Sequence, residues 1–326
     1  MLTKRDLLKS SAAFTALSLA GGRIDWAAAQ DIAQLQIFVP AAPGGGWDQT
    51  ARTIEQVLKA EKLIGTAQIT NVGGAGGAVG LPQFVNQWKG RSNSLMVAGM
   101  VMVGALIANK SPVKLTQTVP VARLTGEYEV LAVPANSPIK DGKDFAAALK
   151  ADPKKMSCAG GSAGGTDHIL LGMIGKAVGI APAQLTYVPY PGGGPALAAV
   201  LGGHVAVAIS GWGEFSEQIK AGKIRAIAIS SAERQADIDV PTLKEQGIDV
   251  ELANWRGVFA PPGASKDQRQ AMITLMEKMA RSASWKEEMK KRDWTPILLT
   301  GDEFGKYIES ETTRIEAILK DLGLAT

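Results

Sequence analysis

The chain has 326 residues, of which 46% are hydrophobic and 20% charged, and its formal net charge is +4. These proportions exclude a disordered chain and leave room for about two domains of ordinary size. The small net charge, without a basic cluster, argues against nucleic-acid binding. With one cysteine and two histidines, the chain has neither an intramolecular disulfide nor a cysteine-rich or multi-histidine metal site. We therefore expect no metal and no cofactor.

Residues 1–29 are predicted to be a secretory signal peptide. A positive segment contains Lys4, Arg5 and Lys9, and an apolar stretch follows at residues 12–21. Ala27-Ala28-Ala29 then forms a small-residue cleavage site. The apolar stretch is too short to span a bilayer, and no later segment is long enough. We expect a periplasmic protein, cleaved after Ala29 and without stable membrane insertion. Such a compartment holds little ATP or nicotinamide, which argues against cofactor enzymes.

Apolar runs, glycine loops and amphipathic segments alternate along the remaining chain and predict strands and helices. The predicted strands are residues 34–39, 67–72, 94–98, 119–124, 127–133, 155–159, 185–188, 204–210, 223–230, 250–260 and 296–299. The predicted helices are residues 48–61, 78–88, 141–150, 166–178, 196–201, 214–220, 266–282 and 302–322. This alternation is typical of parallel sheets flanked by helices. The strands are too many for one small sheet, so we expect two α/β lobes, with residues 127–133 and 250–260 as the crossings.

Four glycine clusters follow predicted strands and precede predicted helices, at residues 43–48, 73–77, 160–166 and 191–195. A helix start presents free N–H groups and a partial positive charge, which together bind anions. In open parallel sheets such loops gather where ligands bind. The clusters therefore predict a shared anion-binding cleft, although each glycine could also serve only a tight turn. No cluster fits the dinucleotide pattern, and Thr166 follows Gly165 without the lysine of a phosphate loop, so a carboxylate is favoured over a nucleotide.

Catalysis has weaker support in the sequence. Ser162, Asp167 and His168 have the residue types of a triad, but the last two are adjacent and point about 100° apart on a helix. No nucleophile elbow is present. We assign no catalytic residue and expect no enzyme, and an exported hydrolase is kept as an alternative.

Several residues near the loops allow two interpretations. His168 is either a polar group at the edge of the cleft or a satisfied helix histidine. Asp48 either caps its helix or orients the ligand, and Arg52, one turn later, either pairs with Asp48 or contacts the ligand. Trp47 stands in a glycine loop and is interpreted as a wall of the cleft.

Six segments resemble the periplasmic receptors of tripartite tricarboxylate transporters, known as the Bug or TctC family. They are residues 39–52 (VPAAPGGGWDQTAR), 71–77 (NVGGAGG), 161–168 (GSAGGTDH), 187–196 (YVPYPGGGPA), 222–228 (GKIRAIA) and 240–247 (VPTLKEQG). The resemblance implies an α/β, two-lobed flytrap fold of the periplasmic binding proteins, in which each lobe is a sheet flanked by helices. It implies one discontinuous lobe of residues 30–128 plus 254–326 and a second lobe of residues 129–253, with the ligand cleft between them.

By the same resemblance, loop N–H groups, hydroxyls and water hold a small organic carboxylate. Mapped onto this sequence, the ligand-binding residues are Gly45, Gly46, Trp47, Asp48, Asn71, Gly76, Ser162, Gly165, Thr166, His168 and Tyr190. The implied partner is a membrane permease of one large and one small subunit, and we expect a monomer. A receptor that signals to a sensor instead of a permease is an alternative.

Two departures from the family pattern bear on the ligand. Trp47 stands where a small polar residue is usual, and Gly203-His204-Val205-Ala206 lacks the usual acid at its last position. An ammonium group requires an acid, so these changes disfavour an amino-acid ligand. The same changes resemble the tricarboxylate-type branch of the family, and this resemblance implies a citrate-like di- or tricarboxylate as the ligand.

Overall fold

A computed structural model describes residues 32–161, 163–190 and 193–325, and the predicted signal peptide lies outside these ranges. The described strands are β1 Ile32–Val39, β2 Ile64–Asn71, β3 Ser94–Gly99, β4 Val119–Pro134, β5 Ser157–Gly160, β6 Thr186–Pro189, β7 Val207–Gly211, β8 Ile224–Ile229, β9 Ala253–Ala260 and β10 Thr295–Thr300. The described α-helices are α1 Gly46–Ala60, α2 Gly80–Gln87, α3 Met100–Ala108, α4 Gly142–Ala151, α5 Thr166–Ala177, α6 Gly193–Leu201, α7 Trp212–Lys220, α8 Lys266–Arg281, α9 Ala283–Lys291 and α10 Gly301–Asp321.

The long strand β4 is shared by two groups of strands. Its residues 119–128 pair with β9, which leads on to β3, β1 and β2. Its residues 129–134 pair with β7 and β8, and β7 leads on to β5 and β6. The strand β10 pairs with the first part of β4. The chain therefore forms a mixed α/β structure in which β4 runs from one strand group into the other.

Apolar periodicity explains the first unit of this structure. In β1, Ile37, Phe38 and Val39 are all buried, and α1 turns Ile54 and Leu58 toward the sheet. Burying each such side chain contributes about 1.5–3 kcal/mol. The parallel pairing of β1 with β2, connected by α1, places the glycine loop before α1 at the carboxyl end of β1.

The prediction of parallel sheets holds for part of the structure only. Strands β1, β2 and β3 are parallel, as are β5, β6 and β7, but β4 pairs antiparallel with all its neighbours. The predicted strands 119–124 and 127–133 are one continuous strand. Gly126 lies within this strand and does not interrupt it. A Cβ at Gly126 would lie 2.8 Å from Cδ1 of Ile297, so this glycine permits the close packing of β10.

Two helices were missed from the sequence. The helix α3 is apolar on all sides and most of it is buried, so it lacks the polar face by which a helix is recognised. The helix α9 follows α8 after one residue, where Ser282 caps it by accepting a hydrogen bond from the N–H of Trp285. The other predicted helices are present, with ends shifted by a few residues.

Candidate ligand-binding cleft

A cavity of about 580 Å³ lies where several helices begin. Within the described residues its wall includes the starts of α1, α5, α6 and α7, at Gly46, Thr166, Gly193 and Gly211. Because the first turn of a helix has free N–H groups, these ends together form a surface suited to an anion. Three of the four glycine loops from the sequence contribute to this cavity.

The remaining glycine loop lines a second cavity of about 340 Å³ beside the first. Gly74, Ala75 and Gly76 belong to this second cavity. The two cavities share four lining residues, Gly46, Val101, Asn254 and Arg256, so they are two parts of one cleft. The predicted convergence of the glycine loops on a common hollow is therefore present in the fold.

The structure divides the predicted site residues into two groups. Gly45, Gly46, Gly165 and Thr166 line the main cavity, and Gly46, Trp47 and Gly76 line the second one. Asp48, Asn71, His168 and Tyr190 line neither cavity. Ser162 lies outside the described residues.

Asp48 braces the first glycine loop from behind. Its carboxylate accepts hydrogen bonds from the Gly44 N–H at 2.8 Å, from Arg52 Nε at 2.8 Å and from Asn71 Nδ2 at 2.9 Å. Asn71 also donates to the carbonyl of Ala41 at 3.1 Å, which ties the loop to the end of β2. Burial acts to raise the pKa of Asp48, but these hydrogen bonds outweigh it and hold that pKa below its usual value. Asp48 and Asn71 therefore position the loop, and Arg52 is engaged by Asp48.

Replacing Asn71 with alanine is expected to lower the free energy of unfolding by about 2 kcal/mol, because a hydrogen bond to a buried charged group is lost. Urea unfolding followed by circular dichroism measures this. The matched control is Asn109→Ala, which removes an exposed amide bonded only to the Ala105 carbonyl and should cost much less. Equal losses in the two variants would contradict the bracing role of Asn71.

His168 organises the third glycine loop as a neutral side chain. Its Nδ1 accepts a hydrogen bond from the Gly164 N–H at 3.2 Å, and its ring stacks on Tyr187 with centroids 4.0 Å apart. Burial lowers the pKa of His168 to about 4. Of the two interpretations from the sequence, the satisfied helix histidine fits these contacts.

Five carboxyl groups line the main cavity, one of them that of Asp293. The other four are called here the acidic wall: Glu127, Glu129, Asp167 and Glu214. Glu129 is 1% exposed, and its carboxyl group lies near that of Asp167. Burial, and then the neighbouring Asp167, raises the pKa of Glu129 well above its usual range. Burial, and then Glu214, raises the pKa of Asp167 to about 6. Both carboxyl groups therefore hold their protons more strongly than exposed carboxyl groups do.

Arg256 is the buried cation of the cleft, with 8% of its surface exposed, and it lines both cavities. Its guanidinium pairs with Glu127, which also accepts a hydrogen bond from Trp294 Nε1 at 2.8 Å. A Cβ at Gly46 would lie 2.8 Å from Nη2 of Arg256, so this glycine lets the guanidinium reach the start of α1. Arg123, in contrast, lies over the ring of Tyr307 and lines neither cavity.

The sequence contains one signal for these charged residues. Glu127 and Glu129 are two residues apart on a largely apolar strand, so both side chains point to the same face. The family pattern has an acid at the position of Ala206, and its absence from this chain has little bearing on the cleft. Ala206 precedes β7, about 16 Å along the strand from Gly211, which lines the cavity.

Within the described ranges, no helix is both long and apolar enough to cross a membrane. In the same ranges, no three or more histidine, cysteine or acidic side chains are arranged to hold a metal ion. The acidic wall therefore lacks the geometry of a metal site.

Comparison with known proteins identifies the family. The model of the tripartite tricarboxylate transporter family receptor, TctC, matches residues 50–324. The protein BugT of Bordetella pertussis is 27% identical over 295 residues, which cover 89% of each chain.

Solved structures support the same fold. A TctC solute-binding protein from Polaromonas superposes with a TM-score of 0.75 at 22% identity, covering 89% of this chain and 98% of that one. MatC from Rhodopseudomonas palustris with bound malate superposes with a TM-score of 0.70 at 23% identity, covering 88% and 98%. These neighbours establish the two-lobed fold of periplasmic binding proteins. The chain belongs to the TctC family, whose members are periplasmic solute-binding receptors and not enzymes.

Proposed function

We propose that this receptor captures a small organic di- or tricarboxylate between its lobes and delivers it to a membrane permease of one large and one small subunit. The observation that carries the proposal is the buried Arg256, which lies against the start of α1 at a cavity where three further helices also begin. Both kinds of group attract a carboxylate, and the loops of the second cavity extend the same cleft.

Magnitudes explain why several groups must act on one ligand. Micromolar affinity requires about 8 kcal/mol. One helix start contributes about 0.3–1 kcal/mol and one charge-assisted hydrogen bond about 1.5–3 kcal/mol. No single loop reaches the total, whereas helix starts and a guanidinium that close together on the ligand can reach it.

A dicarboxylate of the size of malate is the first candidate, and a citrate-like ligand stays a prediction. The preference for citrate depended on Trp47 and on the acid missing at Ala206, which together resemble the tricarboxylate-type branch of the family. Of these two positions, Ala206 precedes β7 and lies away from the cavity. The acidic wall also opposes the three negative charges of citrate more than the two of malate. The malate bound by MatC fits this order of candidates.

We propose lobe boundaries at residues 128 and 254, with residues 30–128 plus 254–326 in one lobe and residues 129–253 in the other. The pairing of β4 supports this division, because Tyr128 still pairs with β9 whereas Glu129 pairs with β7. The strands β4 and β9 would then carry the hinge. We further propose export with cleavage after Ala29, and a monomeric receptor in the periplasm.

The test is a titration of protein that has been unfolded and refolded to remove carried-over ligand. Malate, succinate, adipate and citrate are added separately, and binding is followed by calorimetry and by the melting temperature. We expect at least one acid to bind with micromolar affinity or better and to raise the melting temperature. No response to any organic acid, including amino acids, would overturn the proposed function.

A further inference from the structure

The cations of the cleft already have acidic partners. Arg256 pairs with Glu127, and Lys291 and Arg292 pair with Glu288 at 3.1 and 3.3 Å. Asp167 and Glu214 form no ion pair within the described residues. Their hydrogen-bond donors are the Gly161 N–H and the Ser210 hydroxyl. The cleft therefore has an excess of negative charge beside these two acids.

This excess lies on one strand group. Asp167 and Glu214 lie in the first turns of α5 and α7, and these helices follow β5 and β7. Arg256 lies on β9, and Gly46 begins α1, which follows β1. A ligand that touches both strand groups thus meets a guanidinium at one end and carboxylates at the other.

The chain's own carboxylates already occupy helix starts near the acidic wall. The Glu214 carboxylate lies against the start of α6, because a Cβ at Gly193 would overlap its Oε2. The Asp167 carboxylate accepts the Gly161 N–H in the loop before α5. A second carboxylate from the ligand would meet like charges there, whereas a cationic group would be attracted.

Two buried oxygens in this region lack hydrogen-bond partners within the described residues. They are Oγ1 of Thr166, a residue 4% exposed, and Oε2 of Glu129. Both residues line the main cavity. Buried polar atoms are nearly always hydrogen bonded. Unpartnered oxygens at a cavity wall therefore indicate a ligand that supplies hydrogen-bond donors. The unpartnered hydroxyl group of Thr166 points to a ligand independently of the acidic side chains.

The space between the acids suits a small cation. A Cβ at Gly211 would lie 3.7 Å from Oε2 of Glu127 and 3.9 Å from Oε2 of Glu129, so the missing side chain leaves a gap between these carboxylates. An ammonium group has three N–H donors and one positive charge. It can satisfy more than one of these oxygens at once, which a hydroxyl group with one donor cannot.

We propose that the acidic wall binds an ammonium group, so that the receptor captures an organic acid that also carries an amine. Arg256 and the start of α1 bind the carboxylate of the same molecule. This inference rests on the proposed function and reverses the expectation that an amino acid is disfavoured. The acid that such a ligand requires is supplied by Glu129, Asp167 and Glu214.

Matched ligand pairs test the proposal by calorimetry on refolded protein. Each pair shares its carbon chain and carboxylates and differs only in an ammonium or a hydroxyl group: alanine and lactate, aspartate and malate, glutamate and 2-hydroxyglutarate. In the pair that binds best, the amine member is expected to bind at least about 10-fold more tightly, which corresponds to about 1.4 kcal/mol.

Variants then assign the effect to the acidic wall. Glu214→Gln and Glu129→Gln are expected to reduce that preference about 10-fold, mainly by weakening the amine member. The control Glu217→Gln lies on the same helix α7, is exposed and does not line the cavity, so it should leave the preference unchanged.

The outcomes separate the two proposals. Tighter binding of the hydroxy acid in the pair that binds best, or an equal effect of Glu214→Gln on both members, overturns the ammonium site and leaves the carboxylate receptor standing. Failure of every acid and amino acid to bind overturns both.

Discussion

Replacing Arg256 with glutamine is expected to weaken carboxylate binding at least about 100-fold, or about 3 kcal/mol. Arg256 is buried and lines both cavities, so its attraction for a carboxylate is less screened by water than that of a surface arginine. Its fork of N–H donors also exceeds what one Glu127 carboxylate uses. Calorimetry with the organic acid that the unchanged protein binds best measures the loss.

Two further substitutions separate charge from shape. Arg256→Lys keeps the charge but loses the planar fork, so binding should be intermediate. Arg91→Gln removes an exposed arginine that lies over Trp88, 4.9 Å from the ring centroid, and should leave binding unchanged.

The fold must survive the change at Arg256. Glutamine at this position leaves Glu127 without its cation, although Trp294 still donates to that carboxylate. The double variant Arg256→Gln with Glu127→Gln removes the unpaired charge and should restore the melting temperature without restoring binding. A folded Arg256→Gln protein that binds like the unchanged protein would contradict the role of Arg256.

The parts of the cleft that could be predicted from the sequence depend on local chemistry. A glycine run between a strand and a helix marks an accessible helix start wherever it occurs, and Gly46 and Gly165 were found in this way. Asp48 was found by the same reasoning, but its role differs. It accepts the Gly44 N–H and Asn71 from behind the loop, and such a contact between β2 and α1 depends on how these elements pack.

The charged part of the cleft depends on pairs that are distant in the sequence. Glu127 meets Arg256 and Trp294, which follow it by 129 and 167 residues. No local period reports such a pairing, because it arises from the antiparallel contact of β4 with β9 and β10. The sequence therefore predicted the glycine loops that line the cleft better than it predicted the acids beside them.

Replacing Glu129 with glutamine is expected to stabilise the ligand-free protein increasingly as the pH rises above about 5. Burial and Asp167 raise the pKa of Glu129 in the folded state, so the folded protein binds more protons than the unfolded chain above the usual pKa of a glutamate. The free energy of unfolding then falls as pH rises, by up to about 1.4 kcal/mol per pH unit. Glutamine does not titrate, so this loss of stability is absent in the variant.

The measurement is urea unfolding of both proteins at pH 5, 6, 7 and 8. The stability advantage of Glu129→Gln over the unchanged protein should grow as the pH rises from 5, because the raised pKa of Glu129 makes the unchanged protein lose stability with rising pH. The control Glu217→Gln should show no such growth, and a pH-independent difference for Glu129→Gln would contradict the buried acid pair.

If Glu129→Gln both stabilises the protein and weakens its preference for the amine ligand, Glu129 serves ligand binding at the expense of stability. A buried carboxyl group without a cationic partner destabilises a fold, and natural proteins tolerate such a group mainly where binding requires it. Glu129 lies where β4 passes from one strand group to the other, at the wall of the cavity. If the variant became more stable and still discriminated amines from hydroxyl groups as before, the acid would belong to the fold and the ammonium site would have to lie elsewhere in the cleft.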